Sequence, residues 1–161
     1  MADLTLRQLA AIFDTHARQM PAREIAGLRA AATIVAEAAD GYIGEYQPAA
    51  GPFPAWKPLS QATLHGGVSP SGHKFKGKID LGFAPPDRPL LRTGFMRDTI
   101  ESSVGPGKMV VGSDDEVAFW QELGTRYMPA RSFIGRAMFE KQGAAVAAVM
   151  EAMFGPLVRG R

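Results

Sequence analysis

Glu101-Ser102-Ser103-Val104-Gly105-Pro106-Gly107-Lys108-Met109-Val110-Val111 is the stretch that decides the fold class. Residues 101–104 and 109–111 read as two strands, and Gly105-Pro106-Gly107-Lys108 reads as the turn between them. On both sides of this hairpin the pattern becomes helical. Downstream, Asp114 and Asp115 precede a short amphipathic helix at 117–123, where acids favour a helix N-terminus. Gly124 ends it, in a left-handed backbone that penalises a Cβ. Residues 126–133 read as extended around Pro129, and 134–154 as a last helix rich in Ala and Met. Upstream, 90–100 reads as a turn and a short helix with Thr93 as N-cap.

Further from the hairpin, the N-terminal third is helical. Leu6, Leu9, Phe13, Ala17 and Met20 recur at helical spacing, and Thr5 with Gln8 forms a capping box. Pro21 is expected to interrupt this helix and to open a second one, since proline is tolerated in a first turn. Ile25, Leu28, Ala32, Val35, Ala39, Tyr42 and Tyr46 then follow a 3-4-3-4 spacing, a heptad seam. Such a seam packs either on the chain's own sheet or on a neighbouring subunit.

Residues 47–89 form a long Pro/Gly-rich arm, because proline at this density breaks helices and central strands. A helical turn at 59–64 interrupts it, and 73–81 alternates weakly enough to be a hairpin arm. We expect this arm to be exposed and to become ordered on a partner. The fold class is therefore α+β: N-terminal helices, a small mostly antiparallel sheet, a C-terminal helix and the arm, in a single domain over 1–161.

Composition narrows the function. A chain of 161 residues with 46% hydrophobic and 21% charged residues is an ordinary globular domain. It has no cysteine, which excludes disulfides, thiolate catalysis and Cys-based metal centres. No apolar run approaches the ~20 residues of a membrane span, and the acid in MADLTLRQLA argues against a secretory leader. The net charge of +2 hides alternating blocks. Residues 1–46 and 98–122 are acidic, and 47–97 and 123–161 are basic. Blocks of opposite sign can meet within one fold or between copies.

Catalytic constellations are missing. His16, His65 and His73 have no neighbours at metal-ligand spacing. The serines lack a G-x-S-x-G elbow. Gly105-Pro106-Gly107-Lys108 leads into a strand where a phosphate loop would open a helix. Asp114-Asp115-Glu116 suits a helix cap better than a cation, so a hydrolase with a carboxylate-held cation is the weakest reading. No enzyme, cofactor or metal is expected, and binding or assembly is the default class. Lys74, Lys76 and Lys78 around Phe75 would present positive charge on one strand face, which supports a DNA-binding accessory role as an alternative.

Several motifs follow one another in a fixed order. They are Trp56-Lys57-Pro58-Leu59-Ser60-Gln61-Ala62-Thr63-Leu64, then Leu90-Leu91-Arg92-Thr93-Gly94-Phe95-Met96-Arg97-Asp98-Thr99-Ile100, then Met109-Val110-Val111-Gly112-Ser113, then Val117-Ala118-Phe119-Trp120-Gln121-Glu122-Leu123-Gly124-Thr125, then Met128-Pro129-Ala130-Arg131-Ser132-Phe133-Ile134-Gly135. Over about 20–155 this order resembles the tail-completion, or virion morphogenesis, family of tailed bacteriophages. Ser132 stands where that family carries a proline. The resemblance implies a head–tail joining subunit of the virion, assembled in the bacterial host as a six-fold ring around the DNA channel. The implied partners are further copies of the chain, a tail tube or tail terminator protein, and a head-side connector or stopper, with DNA passing through unread. A tail terminator is the alternative within the same class.

The residues expected at subunit or partner interfaces are Trp56, Lys74, Lys76, Lys78, Arg92, Arg97, Asp114, Glu116, Glu122, Arg126 and Arg131. Arg131 is expected to pair with Glu122 or with an acid on a neighbour, since its guanidinium grips carboxylates with two parallel bonds. Trp56 is expected to pin the base of the arm.

Overall fold

The computed structural model describes residues 5–83 and 85–158. Its first element is one helix, α1 (Leu6–Tyr42), about 55 Å long at 1.5 Å per residue. The capping box forms as expected: Gln8 N donates to Thr5 Oγ1 at 3.3 Å, and Thr5 N donates to Gln8 Oε1 at 2.9 Å.

Pro21 does not divide this helix, contrary to the sequence expectation. Proline removes one N–H and so one helical hydrogen bond. A fresh helix start would instead leave four N–H groups without intrahelical partners. The alanine-rich stretch that follows has high helix propensity and lies against a second long helix, so continuity prevails.

That second helix is α5 (Ile134–Val158), which also extends beyond the expected 154. It runs antiparallel to α1: Tyr42 meets Glu140, Gly27 meets Val149, and His16 meets Phe154. A Cβ placed on Gly27 would lie 2.9 Å from the Val149 Cα, so only glycine admits this close crossing. The seam predicted from the heptad is used within the chain. Ala32, Val35 and Ala39 are buried, while Tyr46 falls beyond the helix end.

Between the long helices in sequence comes the predicted hairpin, slightly longer than expected, and it packs on α1. β3 (Ile100–Gly105) pairs antiparallel with β4 (Lys108–Ser113), with Val104 opposite Met109 and Ser102 opposite Val111. Ile100, Met109 and Val111 pack on the core, while Glu101, Ser103 and Val110 face outward. A two-stranded sheet is marginal alone, and α1 supplies its missing layer. Gly107 N, in the turn, donates to Glu24 Oε1 of α1 at 2.9 Å and fastens the two together.

The arm holds a short helix, α2 (Gln61–His65), capped by the Ser60 hydroxyl, and a small hairpin of β1 (Gly67–Val68) with β2 (Lys74–Phe75). Before the main hairpin, α3 (Phe95–Asp98) begins after Gly94, which takes the N-cap position in place of Thr93. Thr93 Oγ1 still accepts from Phe95 N at 3.4 Å. After the hairpin, α4 (Glu116–Leu123) is capped by Asp115, whose Oδ1 accepts from Val117 N at 3.0 Å. Gly124 closes it at φ 75°, and a Cβ there would lie 2.7 Å from Ala130 N.

The architecture is α+β. Its core joins Ala31, Val35, Ala39 and Ile43 of the α1 region to Trp56, Met96, Ala118, Phe133 and Ala137. Arg136 is buried with them at 1% exposure. Its guanidinium reaches Glu140 at 2.9 Å and stacks over the Tyr42 ring at 5.7 Å. Among the described residues no helix is long and apolar enough to cross a membrane.

Candidate interaction surface

Chain segments far apart in sequence converge beside the C-terminal end of α1. The stretch 57–63, the 75–81 turn, 90–96, α4 and the 127–131 loop surround an open groove of about 750 Å³. Its charged lining is Lys57, Lys76, Lys78, Arg92 and Arg131, with no carboxylate among them. Leu59, Leu90, Leu91, Met96, Val117 and Met128 supply aliphatic and thioether wall, and Phe75 and Tyr127 add two aromatic rings.

Each segment has a local reason to be there. Trp56 is buried at 6% exposure and its backbone N donates to Gln47 O at 2.9 Å, which fixes the start of the arm. Tyr46 Oη donates to Asp87 and accepts from Leu59 N at 3.0 Å, tying the middle and the end of the arm to one phenol. Burial and the bond to Asp87 raise the Tyr46 pKa above the usual tyrosine value. Lys78 Nζ turns inward and donates to Arg88 O at 2.6 Å. Burial lowers the Lys78 pKa; Arg131 and Arg92 push the same way and Asp87 opposes them.

The floor is Arg131, 6% exposed. Its backbone N donates to Gln121 O at 2.7 Å and its Nη2 to Lys57 O at 3.1 Å. Its Nε is buried without a hydrogen-bond partner. Desolvation pulls its pKa below the ordinary arginine value, partly offset by Tyr46.

The expected Arg131–Glu122 pair is not formed. Glu122 turns the other way and caps α5. Its Oε2 accepts from Phe133 N at 2.8 Å and from Ile134 N at 3.0 Å, and its Oε1 accepts from Gly135 N at 2.8 Å and from the Ser132 hydroxyl. A helix of 25 residues presents partial positive charge and unpaired N–H groups at its start, and these outcompete a single arginine. Glu122 is a fastening within the chain.

The other expected interface residues divide into two groups. Arg97 is held internally, with Nη2 donating to Ile43 O at 2.5 Å and Nε lying 3.5 Å from Asp40. Trp56 is covered by its own chain and leaves little surface for a neighbour. Lys74, Lys76, Arg92, Asp114, Glu116 and Arg126 are exposed. Arg92 stacks on Phe83 at 5.5 Å and Arg126 on Tyr127 at 5.6 Å. Lys74, Lys76 and Lys78 do not share one strand: β2 ends at Phe75, and only Lys76 and Lys78 reach the groove.

Sequence reasoning missed the outer face of α4. Only Ala118 of this helix is buried, whereas Phe119 is 53% exposed, Trp120 44% and Leu123 63%. Helical spacing places these three with Glu116 on one side, and Trp120 Nε1 donates to Glu116 Oε1 at 3.2 Å. The signal was present: large apolar residues at 117, 119, 120 and 123 encircle more of the helix than one buried stripe can cover.

A second apolar face lies at the opposite end of the molecule. There Leu6, Leu9, Ile12 and Phe13 of α1 stand open beside Leu157 and Val158 of α5. Among the described residues no cluster of three or more His, Asp or Glu is arranged to hold a metal ion. Comparison with protein-family models, with curated proteins and with solved structures finds no match to this chain.

Proposed function

We propose that this chain is a non-enzymatic structural subunit of the phage head–tail junction, forming a ring of six copies around the DNA channel. The observation that carries the assembly part is the apolar surface left open on α4 and at the start of α1. Phe119, Trp120 and Leu123 make a contiguous apolar face on a short helix, and such faces mark surfaces that another protein covers. The phage assignment rests on the ordered sequence motifs and their resemblance to the tail-completion family.

A head-to-tail contact that closes on itself gives a ring. The exposed acids of 98–122 are Asp98, Glu101, Asp114 and Glu116, the last already holding the Trp120 indole. Among the described basic residues after 122, Arg131 and Arg136 are buried in their own subunit, and Arg126 and Lys141 are exposed. The acidic side of one copy would face these residues of the next. The tail tube, a tail terminator or a head-side connector would take the remaining faces.

Imaging particles produced without this chain tests the reading directly. Heads and tails that fail to join are the expected result. Normal infectious virions with joined tails would refute it.

A further inference from the structure

The groove beside α4 is built for a charged ligand that the chain itself does not supply. Arginine keeps its charge when buried, and a buried unpaired guanidinium is strongly unfavourable. Arg131 has one side-chain hydrogen bond, to a neutral carbonyl, and no carboxylate pairs with it among the described residues. Asp87, which influences Lys78, spends a carboxylate oxygen on Tyr46 and forms no ion pair there. Five cations thus line one groove without an acid. A guanidinium fork matches a carboxylate with two parallel bonds.

The walls decide what carries that carboxylate. Leu59, Leu90, Leu91, Met96 and Met128 offer aliphatic and thioether surface, which adapts well to varied side chains. A free inorganic anion would leave this surface wet. A nucleic-acid strand would ask for a row of aromatic platforms along a continuous basic track; here Phe75 and Tyr127 are the aromatic rings in an apolar lining otherwise made of Leu, Met, Val, Ala and Pro, so oligo(dT) is the competing probe in the test. A protein segment carrying both acid and aliphatic side chains satisfies floor and walls together.

We infer that this groove is a docking site for an acidic, leucine-rich segment of a partner protein, with a carboxylate seated on Arg131 and further acids met by Lys57, Lys76 and Arg92. The inference concerns the ligand class of the groove and holds whether or not the chain belongs to a virion.

The test is fluorescence anisotropy on the full chain with three labelled probes. They are a leucine-rich dodecapeptide bearing several glutamates, its counterpart with glutamine at every glutamate, and a twelve-nucleotide oligo(dT). Saturable binding of the acidic peptide is expected, with the glutamine peptide at least about tenfold weaker and affinity falling between about 50 and 300 mM salt. Arg131→Gln should weaken the acidic peptide by about thirtyfold or more. Lys76→Glu combined with Arg92→Glu alters only exposed side chains. It should cost about tenfold or more while leaving the circular dichroism melt unchanged, and it decides the matter alone if Arg131→Gln fails to fold. Equal affinity for the two peptides would overturn the inference. So would no saturation below about 1 mM, binding unmoved by the double charge reversal, or oligo(dT) binding more tightly than the acidic peptide.

Discussion

Replacing Glu122 by alanine isolates the device that joins α4 to α5. The change removes the acceptor for three backbone N–H groups, at Phe133, Ile134 and Gly135, and for the Ser132 hydroxyl. Phe133 is fully buried and its two neighbours are half-buried, so water replaces the lost acceptor poorly. At about 1 kcal/mol of net stability per backbone bond, the loss is about 3 kcal/mol. A lost N-terminal cap and a lost favourable charge at the helix dipole together give a similar figure. For a domain of this size each kcal/mol moves Tm by about 2–4 °C, so Glu122→Ala should melt about 6–12 °C lower. Glu122→Gln keeps one carbonyl acceptor and loses the charge, so about half that fall is expected. Differential scanning calorimetry at pH 7 reads the shift. Urea titration with an unchanged m-value would show that the native state is what weakened. A Glu122→Ala protein melting within about 2 °C of the parent would refute the account of α5 capping.

Three further outcomes follow from the fold. Burial and the bond to Glu140 push the Tyr42 hydroxyl up to about 12, so the folded protein holds this proton to higher pH than the unfolded chain. That contribution is whole below pH 10 and fades as pH rises through about 12. Tyr42→Phe should therefore flatten the alkaline decline in the urea midpoint between about pH 9 and pH 12. Gly27→Val should force α1 and α5 apart, because even a lone Cβ meets the Val149 Cα at 2.9 Å; a loss of about 1–3 kcal/mol in a thermal melt is expected. Trp56→Ala should remove about 3–5 kcal/mol by opening a cavity, and limited proteolysis should then cut the 47–89 arm first.

The parts of the fold legible in the sequence are those with local chemical markers. The hairpin announced itself through Pro106-Gly107 between strand-forming runs, and α4 through Asp115 before it and Gly124 after it. Pro21 misled because its meaning depends on what lies beside the helix: one missing hydrogen bond is tolerated where α5 supports the axis. Glu122 misled for a related reason. A carboxylate eleven residues from an N–H finds it only after α4 and the following loop have folded back. The groove had no linear signature, since Arg131, Lys57 and Leu91 come from three separate stretches. The lysines at 74, 76 and 78 looked like one face, and the early end of β2 sent Lys78 inward to Arg88.

The unbroken run of α1 past Pro21 has a mechanical side. The groove and α4 sit by the helix C-terminus, while Leu6, Ile12 and Phe13 stand at the other end of a rod about 55 Å long. Stiffness along such a rod comes from its ladder of N–H to carbonyl links, and proline deletes the rung that would reach Ala17. Within α1 that turn has one link fewer, and α5, which meets α1 at His16 on one side and Gly27 on the other, braces it. If the surfaces at the two ends engage different neighbours, as proposed above, load between them passes through this turn, and the α1–α5 pair rather than α1 alone carries it.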